Sequence, residues 1–537
     1  MFTILLSIFC FLIIIFGNGF LWAKVLKIND DSFVLTSFLG IVGMTILQTL
    51  IAFFYTLGSG VEIFFILLGI LGFAICLKKK SYSYFNFSKN LNFWFYFFAI
   101  LILFLASFSP ILYDHFSYYI STISYLKQFG FVKGISSLDL LLGQSSFWHI
   151  FQAGFSHFVD PFLKINSYLS VLFLIYIYER KQYFLLIFLP VYLLFVQQPS
   201  PDLPILIITL VVINELINRR NNPIILYLAM LAFCIKPIVF WLPLFVILQN
   251  IFDKNISFKT IIPVSMLGIL LLMKNLWLFG FPIFPVSILD FNLAWKPSQE
   301  MLTYSSQIGL MKTYDMKYSY QQVIDFSFWQ SIYRWFTIGF KSVFNLGILI
   351  CLMIISYFSF RKKDRIYKIL LICIIIKFIL IIIFSAQYRF FIDVYLIAIF
   401  LVFKNISEEK AVFVTAFLSV LISVLFIFPG FLHNFNIGKR LSGFNWAQIY
   451  KPVENNLINI NSEYKIGNLN FYVPQNPFEK QHFPWINSYD LKLYDYYGIF
   501  PQQIGNEYKD GFYQRKLTPK EKIQLKKIIA ETEKYKP

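Results

Sequence analysis

Long apolar runs, separated by short polar clusters, follow one another from Phe2 to about residue 428. A helix needs about 20 apolar residues to cross roughly 30 Å of hydrocarbon, and several runs reach that length. The alternation typical of membrane β-strands is absent. We predict an all-α polytopic membrane protein with about twelve to fourteen transmembrane helices. The predicted spans cover residues 2–23, 32–55, 61–77, 91–108, 162–178, 183–196, 203–217, 223–235, 237–249, 260–279, 342–358, 367–384, 390–403 and 411–428.

Clusters of Lys and Arg lie between these runs. They fall at residues 24–27, 78–80, 180–181, 219–220, 254–259, 361–365 and 404–410. Counting spans between the clusters puts every one of them on the same face. Short cytoplasmic loops are enriched in Lys and Arg, so this face is predicted to be cytoplasmic. The pattern predicts a multi-pass membrane protein, with the N-terminus and the C-terminal tail outside the cytoplasm.

The opposite face receives most of the remaining polar sequence. It holds three predicted outer loops, 109–160, 197–204 and 280–341, and a tail rich in Asn, Tyr, Lys and Pro. We therefore predict a transmembrane module over 1–429 and a small extracytoplasmic domain over 430–537. Thr518 followed by Pro519 is typical of a helix start, which predicts one helix at the end of the tail.

Composition excludes several classes of protein. Hydrophobic residues make up 58% of the chain and charged residues 14%, and mean hydropathy is +0.66, which is incompatible with a soluble domain. The net charge of +18 does not indicate nucleic-acid binding, because its cations lie mainly in the topology clusters. All five cysteines fall within apolar segments without metal-type spacing. We expect no nucleic-acid partner, no disulfide framework and no zinc site.

Asp114 is the first candidate for chemistry, because it follows an apolar span in the sequence SPILYDHFSYY. Ionisable groups at membrane depth are costly and often functional. The alternative is that Asp114 caps the next helix, predicted over residues 118–129. His115 and Tyr118 follow directly and are candidate substrate-binding residues.

Three cations interrupt apolar runs instead of flanking them. They are Lys236, Lys274 and Arg389, each near the predicted outer end of a span. Each could extend to the headgroups or pair with an internal acid. Together they favour an anionic ligand, and a lipid-linked phosphate is the natural one at this depth. Arg389 suits it best, because a guanidinium binds phosphate oxygens bidentately.

The sequence leaves the roles of two further charged residues undecided. Asp202, in the turn QQPSPDLP, could be a second acid or the cap of the next span, and we favour the cap. Lys377, in the middle of an Ile-rich span, requires an internal partner that the sequence does not identify.

The pattern resembles the GT-C membrane glycosyltransferases, which use polyprenyl-phosphate sugars as donors. The resemblance is carried by the many spans, a large first outer loop opening at Asp114, and a C-terminal outer domain. The segments YDHFSYYISTISYLKQFG, QQPSPDLP, KNLWLFGFPIFP and AQYRFF are similar to those of a group of bacterial multi-pass proteins of this type. The similarity extends over residues 91–403 and includes little of the tail.

The resemblance implies a GT-C-like helical bundle and a role for Asp114 as base on the acceptor hydroxyl, or in placing that hydroxyl. Arg389 with Lys274 or Lys236 would hold the departing phosphate. The implied location is the bacterial inner membrane. The implied partners are a polyprenyl-phosphate-linked sugar, a glycan, lipid or protein acceptor, and membrane lipids. His115 stands where the family usually has a second acid. A divalent metal therefore stays open as a cofactor, although we do not favour it.

Two other functions stay open. One is a flippase or transporter of a lipid-linked glycan, which should carry charged residues at mid-depth in its spans. The other is a glycan polymerase or ligase, which would take a whole lipid-linked glycan instead of a single sugar.

Overall fold

The computed structural model describes residues 1–220, 222–254, 258–430, 441–454, 462–474 and 482–534, with backbone alone given for 258, 259 and 534. The described chain is mostly helical, and each of the fourteen predicted apolar segments falls on helical backbone. The first four helices are α1 (Phe2–Leu26), α2 (Phe33–Phe54), α3 (Ser59–Lys78) and α4 (Phe93–Ala106).

Helices α1, α2 and α3 pack closely because glycines remove side chains from their contacts. A Cβ at Gly17 of α1 would lie 1.9 Å from the carbonyl oxygen of Gly69 in α3. A Cβ at Gly40 of α2 would lie 2.1 Å from the carbonyl oxygen of Ile15. Backbones in contact through small residues are a common packing mode of membrane helices.

The centre of the bundle is built from shorter helices. They are α5 (Ile120–Phe129), α6 (Phe147–Ala153), α7 (Ile165–Arg180), α8 (Leu189–Leu193), α9 (Asp202–Ile217), α10 (Pro223–Ile235), α11 (Trp241–Phe252) and α12 (Phe258–Phe279). Helices α7 and α9 are buried around almost their whole circumference. This explains why their sequences are apolar on every face.

The third outer loop forms three helices, and four more helices follow it. The loop helices are α13 (Gln299–Thr313), α14 (Tyr320–Asp325) and α15 (Phe328–Thr337). The following helices are α16 (Ser342–Arg361), α17 (Arg365–Phe384), α18 (Ile392–Phe403) and α19 (Glu408–Ile427).

Seven described helices are long and apolar enough to cross a membrane, or eight if the bent pair Tyr82–Asn90 and Phe93–Ala106 counts as one span. They make the chain a multi-pass membrane protein. We predicted twelve to fourteen transmembrane helices, and fewer of the described helices reach this length. A 16-residue helix such as α7 spans roughly 24 Å at 1.5 Å per residue, which is short of the hydrocarbon thickness. The apolar surface of these shorter helices is buried within the bundle instead.

The C-terminal part contains strands, which the all-α prediction did not include. Its described elements are β1 (Ser462–Ile466), β2 (Leu469–Val473), α20 (Ser488–Tyr497), β3 (Ile499–Gln503), β4 (Phe512–Lys516) and α21 (Pro519–Lys534). Strands β1–β2 and β3–β4 form two separate antiparallel hairpins. Helix α21 confirms the predicted terminal helix, and Thr518 accepts a hydrogen bond from the Glu521 amide. The predicted domain boundary at 429/430 adjoins residues 431–440, which lie outside the described residues.

This C-terminal part is docked on the first outer loop. The Tyr494 hydroxyl donates to the carbonyls of Ser137 and Leu138, at 2.9 and 3.0 Å. The amide of Phe512 donates to the carbonyl of Lys133 at 2.9 Å. The docking therefore joins the tail to the loop that opens at Asp114.

Ion pairs tie the helix ends together at the opposite end of the bundle. They are Arg180–Glu215, Arg219–Asp364 and Arg365–Asp253. Each includes a residue of a predicted basic cluster. The contacts bring the clusters around residues 180, 219 and 363 to one end, as the span count predicts.

Candidate functional site

Asp114 and Arg389 meet although they are far apart in the sequence. A guanidinium nitrogen of Arg389 lies 4.0 Å from a carboxylate oxygen of Asp114. Both side chains are more than a third exposed, at 46% and 39%, so this pair contributes only about 0–1 kcal/mol to stability. An exposed charge pair of little structural value is a candidate for function.

Asp114 is held by the loop that contains it and by the turn before α9. The amide of Leu112 donates to the side-chain oxygen of Gln198 at 3.2 Å, and the amide of His115 donates to the Leu112 carbonyl. A single π-helical turn, His115–Tyr119, begins directly after Asp114 and leads into α5. The Asp114 side chain makes no capping hydrogen bond to it, so the structure does not support the capping alternative.

Arg389 is held by contacts between the third outer loop and the end of α17. Ser385 donates to the carbonyl of Gly309 at 2.7 Å, and the amide of Ala386 donates to the hydroxyl of Thr313 at 3.1 Å. The indole of Trp335 in α15 donates to the carbonyl of Ala386 at 3.0 Å. The loop helices thereby fix the backbone three residues before Arg389.

A cavity of about 300 Å³ lies beside Arg389. Lys312, Lys341 and Arg389 bring three cations to its wall. Lys341 is ion-paired with Asp315, which also lines the cavity. The net charge of the wall is therefore positive, which suits a phosphate group.

A second acid, Asp202, lies close enough to Asp114 for its charge to act on that carboxyl. Asp202 is the first residue of α9, and the cap position is taken by Pro201, so the prediction of a cap was wrong. Its carboxylate instead forms an ion pair with Lys236. This pair places Lys236 in the electrostatic neighbourhood of Asp114.

Partial burial raises the pKa of the Asp114 carboxyl, while the positive charge of Arg389 acts in the opposite direction. The charge of Asp202 raises this pKa further. A carboxylate with a raised pKa is a better proton acceptor than one at the surface, as long as it is still ionised.

The other predicted substrate residues are distributed differently. Tyr118 faces the same acids, because the charges of Asp114 and Asp202 add to burial in raising the pKa of its hydroxyl. His115 is buried and lines a different cavity. Lys274 is buried, and its amine donates to the carbonyls of Gln144 and Ser145, at 2.5 and 3.0 Å. These two hydrogen bonds join Lys274 to the first outer loop, and neither involves Asp114.

Sequence reasoning missed Lys312 and Lys341. Both lie in or just after the polar outer loop, where nothing distinguishes them from neighbouring lysines such as Lys317. Lys312 acts electrostatically on both Asp114 and Arg389. Only the folding of α13 towards the end of α17 brings it there.

The partner of Lys377, which the sequence did not identify, is Asp393. The Lys377 amine lies 2.5 Å from both carboxylate oxygens of Asp393, and both side chains are buried. The indole of Trp241 donates to the same carboxylate at 2.7 Å. This pair joins α17, α18 and α11 within the bundle.

Within the described ranges, no group of three or more His, Cys, Asp or Glu side chains is arranged to hold a metal ion. Asp114, Asp202 and Asp315 are the acids of the site, and the last two are ion-paired with Lys236 and Lys341. This set of donors therefore does not fit a bound divalent cation.

Fold and site together define the class: a multi-pass helical membrane protein with a charged site at one end of its bundle. The chain belongs to the family described as "Domain of unknown function (DUF8201)", whose model matches residues 1–396. The match includes all six predicted site residues. No curated protein and no solved structure matches the chain.

Proposed function

We propose that the protein is a membrane glycosyltransferase that moves a sugar from a polyprenyl-phosphate donor to a glycan, lipid or protein acceptor outside the cytoplasm. The observation that carries the proposal is the contact of Asp114 with Arg389 at the edge of a basic cavity. It brings a proton acceptor and an anion-binding group to one place.

The chemistry assigns a role to each group. The oxygen of the acceptor hydroxyl bonds to the anomeric carbon of the donor sugar, and Asp114 takes the proton of that hydroxyl. The bond between that carbon and the phosphate oxygen breaks, and the lipid phosphate leaves with the electron pair. Arg389, supported by Lys312 and Lys236, stabilises the negative charge that develops on this oxygen.

The first test compares lipid-linked sugars and surface glycans in cells with the native protein, a deletion, or Asp114→Asn at equal membrane abundance. Asparagine preserves the shape of the side chain but cannot take the proton. We expect the variant to match the deletion, with accumulated donor lipid and one glycan that lacks a sugar. Wild-type glycans in the variant would overturn the proposal.

One observation favours the transporter alternative. The buried ion pair Lys377–Asp393 lies within the helical bundle, and intramembrane ionisable pairs often mark transport pathways. A transporter predicts that the deletion traps a complete lipid-linked glycan on the cytoplasmic face, and that Asp114→Asn has no effect. We favour the transferase, because the buried pair is closed by Trp241 while the Asp114 pair is open to solvent.

A further inference from the structure

His115, the residue after Asp114, lines a second cavity of about 440 Å³. None of its lining residues belongs to the Arg389 cavity. We call it the His115 cavity, and its polar lining includes His115, Ser124, Lys127, His157, Lys164 and Glu454. Its size lies within the range of small-molecule sites, about 300–1,000 Å³.

Two histidines present unpaired nitrogens in this region. Nδ1 of His115 and Nε2 of His157 are buried, and neither has a hydrogen-bond partner among the described residues. A buried polar atom without a partner costs about 1–3 kcal/mol, so a hydrogen bond from a ligand or a water to these nitrogens is favourable. Burial, followed by the charge of Lys164, lowers the pKa of His115 to about 3. The ring is therefore neutral at physiological pH and suited to bind a hydroxyl group.

The charged groups of the wall favour an anion. Lys127 and Lys164 both line the cavity, and Glu454 is ion-paired with Lys451 at 2.8 Å. Lys164 is buried, and its amine donates to the carbonyls of Phe108 and Gln197, at 3.1 and 2.7 Å. Burial lowers its pKa to about 7, and an anion beside it would favour the charged form.

Two acids near these lysines are already engaged. Glu62 accepts hydrogen bonds from three consecutive amides, those of residues 157 to 159. Asp160 accepts from the amide of Lys164 and from the side chain of Gln152. Neither acid lines the cavity, whose charged lining residues are Lys127, Lys164 and Glu454.

We propose that the His115 cavity binds a sugar carrying one anionic substituent, a carboxylate or a phosphate, and that this sugar is the acceptor. The histidines and Ser124 bind its hydroxyls, and Lys127 and Lys164 bind its anionic group. His115 directly follows Asp114, so the cavity and the carboxylate adjoin the same turn of backbone, His115–Tyr119. The acceptor role rests on the proposed transferase function, whereas binding of the anionic sugar does not.

The test uses the full-length protein in lipid nanodiscs and saturation-transfer NMR with three probes: glucuronate, glucose 6-phosphate and glucose. We expect both anionic sugars to bind more tightly than glucose, and the stronger of the two identifies the anionic group. Lys127→Met should weaken their binding about tenfold and leave glucose unchanged, because a hydrogen bond to a charged group is lost. Lys127→Arg should restore it.

The control is Lys520→Met, which removes an exposed lysine of α21 and should change nothing. His157→Ala should weaken all three sugars equally. Equal binding of glucose and the anionic sugars, or Lys127→Met that binds like the native protein, would overturn the cavity assignment.

The failure of this inference differs from the failure of the proposed function. If Asp114→Asn blocks sugar transfer in cells but Lys127→Met binds anionic sugars normally, the transferase stands and the cavity assignment falls. If the cavity binds anionic sugars but Asp114→Asn leaves every glycan intact, the binding site stands and the transferase falls.

Discussion

At Asp114 the surroundings, and not the residue type, create the candidate chemistry. Burial raises the pKa of the carboxyl, the nearby Asp202 adds to the effect, and Arg389 limits it. Arg389 in turn faces a cavity with two further cations. In our proposal the acid removes a proton while the cations receive the departing phosphate.

Arg389 therefore allows a direct test of the anion site. Arg389→Met should reduce sugar transfer about 100-fold, because losing one group that stabilises a developing oxyanion typically costs 10²–10³ in rate. Arg389→Lys should retain more activity, since it retains the charge but loses the planar fork. Accumulation of the lipid-linked donor in cells is the measurement.

The matched control is Arg361→Met, because Arg361 is exposed at the end of α16 and its guanidinium contacts Tyr357 of the same helix. It should transfer sugar like the native protein. Normal transfer by Arg389→Met would remove the anion site from the proposal.

Lys377 and Asp393 provide a prediction about stability. Lys377→Met should destabilise the protein by about 3–5 kcal/mol, because it leaves the buried Asp393 carboxylate without its cation. The double variant Lys377→Met with Asp393→Asn should recover most of the loss. Thermal unfolding in detergent measures both.

The double variant of Lys377 and Asp393 also distinguishes the transferase from the transporter. A folded double variant with normal surface glycans means that the pair is structural. A folded double variant that traps a lipid-linked glycan on the cytoplasmic face would favour transport.

Between elements, the glycines of α1 and α3 set how closely the helices approach. Gly17→Ala should destabilise the bundle by about 1–3 kcal/mol, because its Cβ would collide with the backbone of Gly69. Gly60→Ala in the same α3 is the control: nothing lies within 4 Å of its Cβ, so it should be neutral or stabilising by up to ~1 kcal/mol. Equal unfolding temperatures for both variants would contradict the packing argument.

The contact between the first outer loop and α20 contains two acids, Asp139 and Asp490. Burial raises the pKa of Asp139 to about 6. Burial and the charge of Asp139 raise the pKa of Asp490 well above its usual range. Unfolded Asp has a pKa near 3.9, so between about pH 4 and 6 the folded state binds protons that the unfolded state does not. Stability from this pair is therefore present at low pH and falls as the pH rises through 6.

This sign gives a measurable outcome. The contribution of Asp139 and Asp490 should raise the unfolding temperature at pH 5.5 relative to pH 7.5. Asp490→Asn should reduce this difference between the two pH values. The comparison between the two proteins cancels other titrating groups. A difference that is unchanged in Asp490→Asn would show that the acids do not control the docking.

For the whole molecule, the distribution of charge predicts orientation. Three of the basic clusters, around residues 180, 219 and 363, meet at one end of the bundle, and the C-terminal part is docked on the first outer loop. In a background with the exposed Cys10 replaced by Ser, Tyr496→Cys should react with an impermeant maleimide in spheroplasts. Lys363→Cys should react only after permeabilisation. The reverse pattern would invert the predicted topology and move the site to the cytoplasm.

The sequence by itself determined what depends on local pattern. Apolar length located the helical segments, basic clusters identified residues of one bundle end, and Thr518 with Pro519 located α21. Asp114, Lys236 and Arg389 were found because charges are rare in apolar runs. The number of helices long enough to cross the membrane was overestimated. The reason is that an apolar run predicts a buried helix, whether lipid or other helices cover it.

Only the tertiary structure decided which of these residues meet. The contact of Asp114 with Arg389, the pairs Asp202–Lys236 and Lys377–Asp393, and the position of Lys312 all join distant parts of the chain. Periodicity and length report on neighbours within one helix, whereas these contacts depend on how helices pack. Packing is set by shape and burial across the whole bundle, and no single segment encodes it.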